Sequence, residues 1–210
     1  IGLVGSEMCI RDRFRRETWR VGESAFAVLL LLIGTSMLDG FYGSYYNLNQ
    51  LVFDAFDAPV SIIGIFFGAS YAVNATAYIA ADLFSLRFGK RNTMLGSMLI
   101  EAGLFMILPW FASNPLCLFG LSMVLCFLPE VVYITSENLI QDAIADDLRA
   151  TILSVASLVR ALFSAVFFSI FGHVLGLYPI QIALGIIGAI AIAITAVVSL
   201  KMVGIQVSKN

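Results

Sequence analysis

Arg160 is the residue whose position most needs explaining. It lies about ten residues into an apolar stretch that runs from about 150 to 172. As a helix, that is roughly 15 Å along the axis, half the depth of a hydrocarbon core about 30 Å thick. An arginine there costs at least about 2.5–3.5 kcal/mol on insertion scales unless it is paired or hydrated. Glu130, deep in the preceding apolar stretch, is the natural counter-charge, and Asp39 is the second candidate. Such a group binds an anion or takes part in proton coupling; the alternative is a permanent pair locking two helices, although buried pairs are poor stability devices.

Other polar residues fall into stripes at helical spacing, and in lipid such stripes face protein or a water cavity. Asp39 is followed along its helix by Tyr42, Tyr46, Asn47, Asn49 and Gln50, amphipathic rings and amides suited to a polar organic substrate. The competing reading, a solvated helix end with belt tyrosines, suits residues 47–50 better than Asp39. Ser70, Tyr71, Asn74 and Tyr78 form a second stripe, Glu130, Tyr133 and Glu137 a third, and Ser154, Ser157, Arg160 and Ser164 a fourth. Asp39, Tyr42, Tyr46, Asn74, Glu130 and Arg160 are thus the candidates for contact with a substrate or coupling ion. Glu101 has only Ser97 near it on its face and reads as a proton site, a contact to a part of the protein outside this chain, or a strained outlier; His173, at a helix end, reads as a surface residue. No enzyme is expected, because one histidine, no His-Glu metal motif and no Gly-x-Ser-x-Gly leave no catalytic set. The cysteines (Cys9, Cys117, Cys126) make no metal or redox spacing. Neither a cofactor nor nucleic acid is expected, since there is no Gly-rich phosphate loop and no basic patch interleaved with aromatics.

The elements that must position these residues are six apolar stretches, at about 24–48, 60–83, 93–111, 116–138, 150–172 and 178–200. Hydrophobic residues make up 60% of the chain and charged residues 12%, and the mean hydropathy is +0.95, a balance that points to lipid rather than water as solvent. Arg13, Arg15, Arg16 and Arg20 precede the first stretch; Arg87, Lys90 and Arg91 follow the second, Arg149 the fourth, and Lys201 and Lys209 the last. The intervening gaps hold Asp54, Asp57 and His173 but no Lys or Arg. The positive-inside rule then places both termini in the cytoplasm. Pro59, Pro115 and Pro179 mark the starts of the three spans entering from outside, and Pro129 should kink the fourth. The expectation is an all-α, polytopic protein of the cell (inner) membrane, with residues 14–23 as a cytoplasmic linker, a bundle over 24–203 and a cytoplasmic tail over 204–210.

Spans one, two, four and five carry the stripes, so four helices should line an interior while the third and sixth pack outside them against lipid. Two triplets of the type lining, lining, peripheral amount to two inverted three-helix repeats, a recurring transporter construction. At the start of the chain, Met8-Cys9-Ile10-Arg11-Asp12 resembles the translation of a sequencing-library adapter. Residues 1–13 are therefore expected to be non-native, with the natural protein beginning upstream.

The gap Leu86-Arg87-Phe88-Gly89-Lys90-Arg91 resembles the loop motif of the major facilitator superfamily in its second occurrence, and Asp147-Leu148-Arg149-Ala150-Thr151-Ile152-Leu153-Ser154 looks like that superfamily's helix ten–eleven loop. The resemblance covers about 20–203 and implies the C-terminal six-helix half of a secondary transporter, closest to drug-efflux members. The implied partners are a small-molecule substrate, the lipid bilayer, a proton or sodium ion, and an N-terminal six-helix half lying outside this chain. It also implies a cytoplasmic gating cluster of Asp82, Arg87, Glu137 and Arg149. The motif's acidic residue would stand directly before the Arg, where this chain has Leu86; Asp82, one turn earlier, is the substitute. The alternative to the transporter is a structural or receptor-like polytopic protein, in which polar stripes serve as packing glue.

The orientation has a direct test. Fluorescent-protein fusions after Arg91 and after Lys201 should be bright, and alkaline-phosphatase fusions near Pro59 active; the reverse pattern would overturn it.

Overall fold

The computed structural model describes the backbone of residues 4–111, 114–144 and 146–203, and side chains over 28–200 apart from 112, 113, 115, 143 and 145–148. Six helices follow one another: α1 (Val4–Ala55), α2 (Val60–Phe88), α3 (Lys90–Phe111), α4 (Pro115–Ala143), α5 (Asp146–Leu177) and α6 (Ile180–Val203). Each contains a stretch long and apolar enough to cross a bilayer, so the chain is an all-α, multi-pass membrane protein. The adapter-like residues 1–13 and the linker 14–23 carry no described side chains, and the tail 204–210 lies outside the described residues.

Local chemistry accounts for the breaks. Pro59 caps α2, Pro115 opens α4 and Pro179 directly precedes α6. Asn114 caps α4 by accepting from the backbone N–H groups of Leu116 (3.0 Å) and Cys117 (3.4 Å). Between α2 and α3 only Gly89 intervenes, at φ +83°, a conformation that favours glycine. Its N–H donates to the Ser85 carbonyl (2.9 Å) and its own carbonyl accepts from Thr93 (3.0 Å), so one residue closes one helix and opens the next. Several helices run past the sequence boundaries: α1 continues to Ala55 and α5 to Leu177. Nothing between 48 and 55 breaks a helix, and Gly172 and Gly176 are tolerated because the i→i−4 ladder continues through them.

α1 is the centre of the bundle and lies along α5. Ser36 Oγ donates to the Ala156 carbonyl (3.4 Å) and Ser44 Oγ contacts the Ser164 carbonyl (2.9 Å), the same offset of 120 residues at both points, so the two helices run parallel. Between them a Cβ built on Gly40 would stand 2.7 Å from the Ser164 nitrogen and from Phe163 Cβ. Ser36-x-x-x-Gly40-x-x-x-Ser44 is therefore a small-residue seam of the kind that lets membrane helices approach closely. Phe41 extends the contact, its ring edge-on to Phe167 (5.4 Å) and Phe171 (4.8 Å) of α5 and to Phe105 (5.7 Å) of α3. A second close approach joins α3 to α6, where Gly188 faces the Phe105 carbonyl, 3.0 Å from a built Cβ. Lys90 and Asp142 pair at 2.5 Å, tying the start of α3 to the end of α4.

The third and sixth helices were expected outside the bundle, yet they are not its most open members. Of the most apolar window, 44% of residues are buried in α6 and 39% in α3, but only 22% in α2 and 11% in α5. α3 turns Met94, Met98, Glu101, Ala102, Phe105 and Leu108 inward and shows Leu99, Ile100 and Trp110 on its other side. α3 and α6 close the back of the bundle, and the open flanks belong to α2 and α5.

Gly40→Val should lower the thermal unfolding midpoint in detergent, with a cost of about 1–3 kcal/mol or more, because the obstacle is backbone and cannot rotate away. Gly103→Ala, where nothing lies within 4 Å, should leave it unchanged or raise it slightly.

Candidate functional site

The close α1–α5 crossing sets Asp39 opposite Arg160. Asp39 Oδ2 lies 2.7 Å from Arg160 Nε. The approach is off the N–H axis, so charge attraction rather than a directed hydrogen bond holds it. Arg160 Nη2 is 3.6 Å from Glu137 Oε1 on α4, and the Tyr133 hydroxyl donates to that same oxygen at 2.5 Å. The guanidinium carbon stands 4.3 Å from the centre of the Tyr133 ring, close enough for a cation–π contact. Asp39 sits 11 residues after Val28 and Arg160 11 after Arg149, the first residues of their apolar spans, so both lie roughly 16 Å in.

This cluster answers the cost of an arginine at that depth, but with different partners from those expected. Glu130, the natural partner by sequence, makes no ion pair with Arg160 among the described residues; Asp39 and Glu137 do. On α4, Glu137 lies nearly two turns further along than Glu130, and it is Glu137 that comes within 3.6 Å of the guanidinium. The cluster is not sealed: the Arg160, Asp39 and Glu137 side chains keep 24%, 31% and 26% of their surface exposed. Beside it, between α2 and α4, lies a cleft of about 410 Å³ lined by Tyr78, Ile79, Asp82, Tyr133, Ile134, Glu137 and Asn138.

The remaining candidates divide. Tyr42 is 3% exposed and stacked on Phe105 (5.5 Å), so it belongs to the aromatic core rather than to an open face. The Tyr46 hydroxyl is 3.0 Å from Ser70 Oγ, tying α1 to α2. The Asn74 amide, oriented to satisfy its nitrogen, donates to the Ser70 and Cys126 carbonyls at 3.2 Å and ties α2 to α4. Tyr46 and Asn74 therefore hold helices together. Of the expected gating residues, Asp82 and Glu137 share the cleft, but Glu137 is engaged with Arg160 and Tyr133. Arg87 lies over the Phe88 ring (5.4 Å), and Arg149 Nη2 donates to the Gln141 carbonyl (3.4 Å) at the end of α4.

Two features were passed over in the sequence. Tyr133 was noted only as a member of a stripe, though an aromatic four residues before Glu137 is one turn away and within reach of its carboxylate. Gly40, which brings Asp39 to Arg160, was legible as the middle of a small-residue repeat.

Comparison with protein families, with curated proteins and with solved structures found no match to this chain.

A double-mutant cycle through Asp39→Asn and Arg160→Gln should give a coupling of about 1 kcal/mol, reduced by partial hydration. Tyr133→Phe should cost about 0.5–1.5 kcal/mol through the lost hydroxyl, and Tyr133→Ala about 0.5–1 kcal/mol more as the ring leaves the guanidinium. Thermal unfolding of the purified variants in detergent measures both.

Proposed function

We propose that this chain is the C-terminal six-helix bundle of a major-facilitator-type secondary transporter, resident in the cell membrane, that moves a small molecule by alternating access. The observation that carries this reading is the Asp39–Arg160–Glu137–Tyr133 cluster: charged, with Asp39 and Arg160 at mid-depth, partly exposed and beside a cleft. A dry pair loses hydration that its mutual attraction does not fully return, whereas one open to water keeps that hydration and can exchange partners.

The open flanks support a second bundle as partner. Tyr71 and Tyr78 lie exposed along α2, where lipid cannot satisfy their hydroxyls but protein or a water cavity can, while the exposed Ser157 and Ser169 of α5 donate to carbonyls of their own helix. The pairings also suit inverted repeats, since α1 packs on α5 as α2 packs on α4 and α3 meets α6 at the back. With the loops oriented as the positive-inside rule predicts, the cleft opens toward the cytoplasm.

The charges bear on substrate class. Arg160 is already faced by two carboxylates, and Asp82 adds a further carboxylate to the cleft, with Tyr78 and Tyr133 supplying ring faces. That environment suits an organic cation better than the anion Arg160 by itself would suggest. A non-transporting polytopic protein is the rival, favoured by Tyr46 and Asn74 acting as interhelical ties.

The full-length gene product in proteoliposomes, tested with a panel of fluorescent organic cations and anions, separates the two. Expected is flux of at least one cation, reduced about tenfold or more in Arg160→Ala and in Asp39→Asn. Absence of flux across the panel, or flux indifferent to both substitutions, would favour the non-transporting protein.

A further inference from the structure

Tyr45 and Asn49 lie one turn apart on the face of α1 that turns into the bundle, 3% and 0% exposed. Ser122 of α4, also 0% exposed, stands beside the Tyr45 hydroxyl, with Cys126 one turn further along α4 on the same side. The Tyr45 and Ser122 hydroxyls and both ends of the Asn49 amide have no hydrogen-bond partner. Similar side chains in these two helices turn back on their own backbone: Asn47 donates to the Gly43 carbonyl (2.9 Å) and Thr135 to the Val131 carbonyl (2.6 Å). Asn49 and Ser122 do not, and their polar atoms are left in the seam between helices. The set lies toward the end of the bundle away from the cleft. Tyr45 is roughly 26 Å and Asn49 roughly 32 Å into a span that starts at Val28, and Ser122 roughly 9 Å into one that starts at Leu116.

A polar atom sealed from bulk water and left unpaired is costly, the more so where lipid surrounds the bundle. Bonds among the three side chains do not remove that cost. The Asn49 amide by itself offers two N–H donors and an oxygen with two lone pairs, more than one neighbouring hydroxyl can meet. All three side chains are neutral, and each presents a donor and an acceptor, which suits a guest that does both. A metal ion would take the oxygens and leave the amide N–H groups facing a cation, and an anion would find no positive charge. Water fits, since it needs a gap of only about 10–15 Å³ and two to four polar partners. Neither the Asn49 amide nor the Ser122 hydroxyl is tied by a hydrogen bond, so both can turn about a guest of that size. Other helix pairs have direct polar ties, Tyr46 to Ser70 between α1 and α2 and Asn74 to the Cys126 carbonyl between α2 and α4. Among the described residues no hydrogen bond joins α1 to α4.

We propose that water is bound between α1 and α4 at Tyr45, Asn49 and Ser122, as the polar tie that this helix pair otherwise lacks. Water held by hydrogen bonds to two helices is nearly as good a link as a direct bond. It is also a link that can be remade, because the water can exchange one partner for another as the helices shift. The site stands on its own geometry and does not rest on the transporter reading.

Hydroxyl-radical footprinting by X-ray radiolysis of the full-length gene product in nanodiscs tests it, because a bound water generates the radical beside the side chain it touches. Tyr45 should be oxidised about tenfold more than Phe41 and Phe53, rings as deeply buried but with no polar atom to hold water. After a brief transfer into heavy-oxygen water, the exposed Tyr71 should take up the label at once and Tyr45 only after longer exchange. Ser122→Ala and Asn49→Leu should each cut the oxidation of Tyr45 severalfold while leaving that of Tyr71 unchanged. Ser122→Ala carries the test even where Asn49→Leu fails to fold. Oxidation of Tyr45 no higher than that of Phe41, label uptake at Tyr45 as fast as at Tyr71, or oxidation indifferent to both substitutions would each overturn the site.

Discussion

Gly40 and the backbone of Phe163 and Ser164 approach so closely that no side chain fits between them, and the charge cluster exists because of that approach. In a bilayer the lipid tails are as apolar as the helix faces, so two helices gain by meeting only where packing and polar contacts exceed those with lipid. The seam Ser36, Gly40, Ser44 provides both, with serine hydroxyls reaching the carbonyls of the neighbour on either side of the glycine. With the two backbones held there, Asp39 has one place to go, and it is occupied by Arg160. A wider crossing would leave the arginine to seek water alone.

Around this axis the bundle separates dry polar groups from wet ones. Tyr46 and Asn74 spend their hydrogen bonds on neighbouring helices, whereas Asp39, Arg160 and Glu137 keep part of their surface open beside the cleft. Glu101, Tyr42 and Thr195 belong to neither group, being buried and unpartnered. Membrane interiors tolerate the first two arrangements for different reasons: the ties because their donors are used, and the cluster because water and counter-charge are at hand.

The pairing of Arg160 shows what helix spacing alone cannot decide. Glu130 and Glu137 lie on the same face of α4, and from sequence Glu130 is the one whose depth matches Arg160. Which of them the guanidinium reaches depends on how α4 and α5 are each set against α1, and Gly40 fixes the α1–α5 half of that arrangement. Glu101 shows the converse. It was set aside because its own helix offers only Ser97 near it, and its neighbours come from α1 and α6, far away in the chain.

Class, number of spans, the proline-marked helix starts and the α2–α3 turn were legible in the chain, whereas the start of α1 at Val4, ahead of the expected 24, was not. Each legible feature follows from local causes: twenty apolar residues suffice to span a bilayer, proline ends a preceding helix, and a one-residue link between helices favours glycine. The stripe of α1 marked a face turned toward protein, with Ser36 and Tyr42 buried, whereas Tyr71 and Tyr78 of α2 and Ser154 and Ser157 of α5 lie exposed. What only the tertiary structure decided is which polar residues meet, which remain wet, and which helices are left open. Those outcomes depend on crossing points and offsets between helices, set by the packing of small and aromatic side chains more than a hundred residues apart. Arg160 announced from sequence that a partner must exist; the α1–α5 seam chose Asp39.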